Sequence, residues 1–146
     1  MFGADLNPPY AEGIKNTVMD TTMALKRRGH NGTYLTSKSD ITSTGPINTY
    51  YTTRTYYSSP KLTFKDLIMG IDFFRCAISS RKKIDILHAH CSAFELAEIA
   101  GLCKLSTKKP TVFTLYSRVV KKPILLFGGA VDKIIVQREY TKNKLS

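Results

Sequence analysis

The sequence predicts an α/β fold, a doubly wound Rossmann-like sheet, mainly parallel, with helices on both faces. Two observations carry this. Short apolar runs alternate with amphipathic segments along the chain, the succession that builds a parallel sheet covered on both sides. The length of 146 residues and the hydrophobic content of 42% suit one domain with a single core. Ligands of such folds bind at the carboxyl ends of the strands, so function is sought there.

Met1-Phe2-Gly3-Ala4 reads as the tail of a first strand, shorter than the usual run of about five or six residues. Asn7 to Gly13 is a loop, because Pro8 and Pro9 fit neither a ladder nor a helix interior. Gly13 permits a tight bend, and Ile14, Val18 and Leu25 behind it fall at helical spacing. A helix from about Ile14 to Arg28 follows, with Gly29 at its C′ position. A glycine at a helix entrance turns bare N–H groups and the positive dipole end toward a crevice. Thr33 to Thr36 is a short strand, and Ile47 to Tyr57, rich in Thr and Tyr, is a strand followed by a loop. Ser58-Ser59-Pro60 breaks the chain before a second helix, Leu62 to Ser80, striped by Leu67, Ile71, Phe74 and Ile78.

Asp85 to His90 is a compact strand with a polar tip. Ser92 and Glu95 have the spacing of a capping box for a third helix, which carries Leu96, Ile99, Ala100 and Cys103. Lys108-Lys109-Pro110 closes that helix, and Thr111 to Leu115 is a strand. Val119 to Gly129 is a connection with a short helix expected at Ile124 to Phe127. Val131 to Val136 is the last strand, and a helix begins at Glu139.

The charge is strongly basic, 22 Lys and Arg against 11 Asp and Glu, net +11. This favours anionic partners: phosphorylated ligands, nucleic acid or an anionic membrane face. The cations fall in short groups at 26–28, 81–83, 108–109 and 121–122, mostly at predicted helix ends, where the helix dipole also favours them. Three widely spaced cysteines without a CxxC pair argue against a disulfide framework and a structural zinc site. The N-terminus has no basic segment followed by an apolar one, and Asp72 and Arg75 interrupt the most apolar helix. A cytoplasmic protein is the expectation.

Several segments together resemble one family. Pro8 to Asn16 resembles its opening PP-x-x-GG-I loop, and Leu25 to His30 its L-x-x-R-G-H helix end. Asp85 to His90 resembles its D-V-I-H-A-H strand. Lys109 to Thr114, Val131 to Val136 and Glu139-Tyr140-Thr141 are similar to K-P-x-V-x-T, A-D-x-I-I-x-V-S and E-Y-T. The family they resemble is the family 4 glycosyltransferases of GT-B fold, and the resemblance implies that residues 1–146 are similar to its N-terminal, acceptor-side domain. The resemblance implies one half of a GT-B architecture, truncated at both ends, with the C-terminal nucleotide-sugar domain outside these residues. It implies retaining transfer of a hexose-type sugar from a nucleotide-sugar to a glycan or lipid-linked acceptor. No metal or other cofactor is implied, and a separate donor-domain subunit is a possible partner.

The resemblance assigns substrate binding to Gly13, Glu12, Asn16, His90, Tyr116 and Arg138, and leaves the catalytic residues unknown. Glu12 stands where the family has a glycine, Tyr116 where it often has a histidine, and Arg138 where it has a serine. Read from the residues alone, Gly13 is equally a turn glycine before a helix, and Tyr116 a half-buried aromatic at a strand tip. His88 and His90, two apart on a strand, share one face. A pair without a third ligand is a poor metal site, so His90 is assigned to acceptor and His88 to the core. Cys91 has no orienting group that would make it a nucleophile. The competing function is a non-catalytic module holding a glycan or a phosphorylated ligand. Nucleic-acid binding rests on charge alone and ranks last. Peripheral contact with the cytoplasmic face of an anionic membrane is a further expectation.

Overall fold

The computed structural model describes residues 2–3, 13–36, 48–51, 64–91, 96–116 and 126–136. The strands are β1 (Phe2–Gly3), β2 (Thr33–Thr36), β3 (Asn48–Tyr51), β4 (Leu87–Cys91), β5 (Thr111–Leu115) and β6 (Lys133–Val136). The helices are α1 (Gly13–Arg27), α2 (Phe64–Ser79) and α3 (Ala97–Thr107). The strands form one sheet in the order β3-β2-β1-β4-β5-β6, and every pairing is parallel. This is the strand order of a Rossmann-type doubly wound sheet.

Helix ends follow the sequence closely. Gly29 has φ 82°, its N–H donates to the Lys26 carbonyl at 3.0 Å, and the His30 N–H donates to the Leu25 carbonyl at 3.1 Å. Those two bonds are a Schellman motif, with Gly29 at C′ as expected. The stop of α3 has a different chemistry. Lys108 takes the left-handed conformation, φ 59° and ψ 24°, and its N–H donates to the Lys104 carbonyl. Pro110 then forbids continuation.

Two expected elements shift. The strand expected from Asp85 starts at Leu87, because a 3-10 turn at Arg81–Lys83 follows α2 and leaves Asp85 and Ile86 exposed. The last strand starts at Lys133, since Gly128–Ala130 is also a 3-10 turn. Of the short helix expected at Ile124 to Phe127, the described residues Leu126 and Phe127 are bends that lead into the 3-10 turn; its first half, the cap residues Ser92 and Glu95, and the helix expected from Glu139 lie outside the described residues.

The core lies between the sheet and the pair α2 and α3. Phe73 and Ala77 of α2, and Ala97, Ala100 and Cys103 of α3, are buried with Leu87, Ala89, Phe113 and Leu115 of the strands. All four strand residues are odd-numbered, so the period of two sends one face of β4 and β5 into this core. Right-handed crossovers put α1 on the other face, because its connection moves toward β2 while those through α2 and α3 move the opposite way.

Candidate functional site

The even-numbered side chains of β4 and β5 share the face away from α2 and α3. The parallel register sets His88 against Val112 and His90 against Thr114. Side chains lean along the strand, so each histidine meets the residue two further on. His88 Nε2 shares a hydrogen bond of 2.7 Å with Thr114 Oγ1, and His90 Nδ1 shares one of 2.7 Å with the Tyr116 hydroxyl. The two imidazoles lie with ring centroids 3.9 Å apart, and the Tyr116 ring stacks beyond His90 at 6.0 Å.

Burial fixes the charge state of this ladder. His90 is 1% exposed. Desolvation lowers the His88 pKa to about 4. Burial and then the adjacent His88 lower that of His90 to about 3. Both are neutral at pH 7, so each has one nitrogen that donates and one that accepts. His90 Nε2 is buried and has no hydrogen-bond partner among the described residues. An unpaired buried polar atom is costly, roughly 1–3 kcal/mol, so its presence here calls for an explanation.

The site residues come together in part. His90 is the penultimate residue of β4 and Tyr116 directly follows β5, so both stand at the carboxyl edge and bond to each other. Gly13 opens α1, as the sequence requires of a helix entrance, and Asn16 is exposed in its first turn. That helix leaves the carboxyl end of β1, whose Gly3 is in register with His90. On one side of β1 the chain runs on to β2, and on the other lies β4, so the N-terminus of α1 stands at the topological switch point of the sheet. Glu12 and Arg138 lie outside the described residues.

His88 is not a bare core residue. Its bond to Thr114, a residue absent from the expected site, makes Thr114 part of the ladder. The alternation of β5 carries that signal, since Thr114 and Tyr116 fall on one face. Cys103 is buried, with its thiol pushed up to about 12 by desolvation, and is therefore inert. No group of three or more potential metal ligands occurs among the described residues, and none of their helices is long and apolar enough to cross a membrane.

Away from the ladder, two carboxylates hold the frame. Glu98 at the start of α3 accepts from the N–H groups of Leu126 (2.7 Å), Phe127 (2.6 Å) and Gly128 (3.2 Å). Asp132 accepts from Lys104 Nζ and from the Thr111 N–H, all at 2.7 Å. Those bonds, Lys104 first, hold the Asp132 carboxyl below its ordinary range.

A family model described as Glycosyltransferase Family 4 matches residues 11–146. No curated protein and no solved structure matches the chain.

Proposed function

The chain belongs to glycosyltransferase family 4, and we propose on that premise that it is the acceptor-binding half of a retaining transferase. The donor would be a nucleotide-sugar carrying a hexose-type sugar, and the acceptor a glycan or a lipid-linked glycan. No metal is required in this reading. A donor-binding domain, on the same chain or on a separate subunit, would close over the carboxyl edge of the sheet.

One observation carries the reading: His90 holds a neutral, buried imidazole whose Nε2 has no partner among the described residues beside the strand tips. A neutral imidazole suits a sugar hydroxyl, which can donate or accept. It suits an anion only while its Nε2 carries the proton, and Tyr116 donating to Nδ1 would set that tautomer. Gly13 at the entrance of α1 would offer N–H groups to the donor diphosphate. Asn16, Glu12 and Arg138 would complete the contacts, with Glu12 turned away from the phosphates or paired with a cation.

A second reading is a non-catalytic module that holds a glycan or phosphorylated ligand at the same edge. It is favoured by Tyr116, which stands where the family often has a histidine and is engaged with His90.

The test is release of nucleoside diphosphate from a panel of nucleotide-sugars, with the donor domain present. The enzyme reading expects turnover that His90→Ala lowers about 10- to 100-fold and that Gly13→Val lowers about 100-fold or more. Full activity in both variants would overturn the assigned roles. Saturable glycan binding without turnover would select the second reading.

A further inference from the structure

Within the ladder, the contacts of the His90 ring hold it without occupying Nε2. The Tyr116 hydroxyl sits 2.7 Å from Nδ1. His88 packs against the ring, with centroids 3.9 Å apart and planes tilted by 33°. His88 is itself held, because its Nε2 shares a 2.7 Å bond with Thr114 Oγ1. Thr114 is buried in its strand, and a β-branched side chain has little freedom at χ1. A half-turn of the His90 ring would set a ring C–H against the Tyr116 hydroxyl and lose that bond. The proton between Tyr116 and His90 also has a preferred side. A phenol, with a pKa of about 10, is the stronger acid and an imidazole nitrogen the stronger base, so the hydroxyl donates and Nδ1 accepts. His90 is neutral, so its one ring proton is then on Nε2, the atom that has no partner among the described residues.

We infer that Tyr116 and Thr114 are positioning residues that lock His90 as a hydrogen-bond donor at Nε2, so that the site selects a ligand by an accepting oxygen, of a sugar hydroxyl or a phosphate, and rejects a protonated amine in the same place. The approach of a ligand to His90 rests on the acceptor-binding reading proposed above; the lock does not. An oxygen that accepts from Nε2–H removes the cost of an unpartnered buried donor. An ammonium group offers only donors, so it would oppose N–H with N–H and lose its own hydration besides. A proton on Nδ1 would reverse this preference. Tyr116 acts directly, through the bond to Nδ1. Thr114 acts at one remove, by tying down the imidazole against which the His90 ring packs.

The experiment is nitrogen NMR of the full chain with isotope-labelled histidine at pH 7, where nitrogen shifts and couplings to the ring protons tell the tautomers apart. Wild type shows His90 as the Nε2–H tautomer. Tyr116→Phe, which keeps the ring and removes the hydroxyl, shows a mixture of both tautomers with its amide spectrum otherwise retained. Thr114→Val leaves the tautomer in place and speeds exchange of the Nε2 proton with water about tenfold, and Thr114→Ser, which keeps a hydroxyl, restores the slow rate. Titration with methyl glucoside or with inorganic phosphate moves the His90 Nε2 resonance, and the probe that does so names the source of the oxygen. Methylammonium does not move it. Affinity for the responding probe falls about tenfold in Tyr116→Phe. An Nδ1–H tautomer in wild type, an unchanged tautomer in Tyr116→Phe, no response to either oxygen probe, or an equal response to methylammonium would overturn the inference. Equal exchange rates in Thr114→Val and Thr114→Ser would remove Thr114 from it. These readouts need no turnover: a locked tautomer without transfer would set aside the transferase reading alone, and transfer by a chain with Nδ1–H at His90 would set aside the lock alone.

Discussion

His90 shows how much one residue owes to its neighbours. On a strand it is one of two histidines on a face. Buried and beside His88, it has a lowered proton affinity and keeps one ring nitrogen without a partner among the described residues. The consequence for stability has a definite sign. Both folded-state pKa values, about 4 and about 3, lie below the ordinary 6.5, so the unfolded chain binds more protons once pH falls below 6.5. Stability contributed by the neutral pair is fully present above pH 6.5, declines as pH falls, and stops declining below the folded values. Each histidine adds a slope of up to about 1.4 kcal/mol per pH unit inside that window. Denaturant titrations between pH 7 and pH 4 should show the loss, and His88→Asn should remove about half of the slope. An unchanged slope would mean that the imidazoles stay accessible to protons in the folded protein.

At the level of elements, the two helix stops invite opposite substitutions. Gly29 and Lys108 both adopt positive φ, a conformation that costs an ordinary residue about 1 kcal/mol and glycine almost nothing. Gly29→Ala should destabilise by about 1 kcal/mol, and Lys108→Gly should stabilise by up to about that amount. Thermal melts of the two variants against wild type check the signs. The packing of α3 is tighter. A Cβ on Gly101 would fall on the Phe127 carbonyl oxygen, and that backbone is itself tied to Glu98 of the same helix. Gly101→Ala should cost about 1–3 kcal/mol through overpacking. Gly129→Ala, which meets nothing within 4 Å, should stay within about 0.5 kcal/mol. Equal denaturation midpoints for the two variants would show that the turn at 126–130 moves freely off α3.

For the whole molecule, strand order makes one end of the sheet a crevice and the other a basic surface. The switch between β1 and β4 brings the entrance of α1 to the edge where His90 and Tyr116 meet. The same order collects cations that are scattered in sequence, at 26–28, 81–83 and 108–109, onto the opposite end.

Much of this was legible in the chain itself. Alternation of apolar strands and amphipathic helices determined the α/β class, Gly29 determined the end of α1, and the motifs from Pro8 to Thr141 pointed to the family. The period of two already put His88 and His90 on one face, and Thr114 and Tyr116 on another strand's face. These signals are local: they follow from backbone sterics and from the spacing of side chains over a few residues. The tertiary structure alone decided that β4 lies beside β5 in a register offset that pairs His88 with Thr114 and His90 with Tyr116. It also decided that Gly101 carries the turn at Phe127, and that separated basic groups share one end of the sheet. Strand neighbours and register are set by burial summed over contacts far apart in sequence, and no short window contains them.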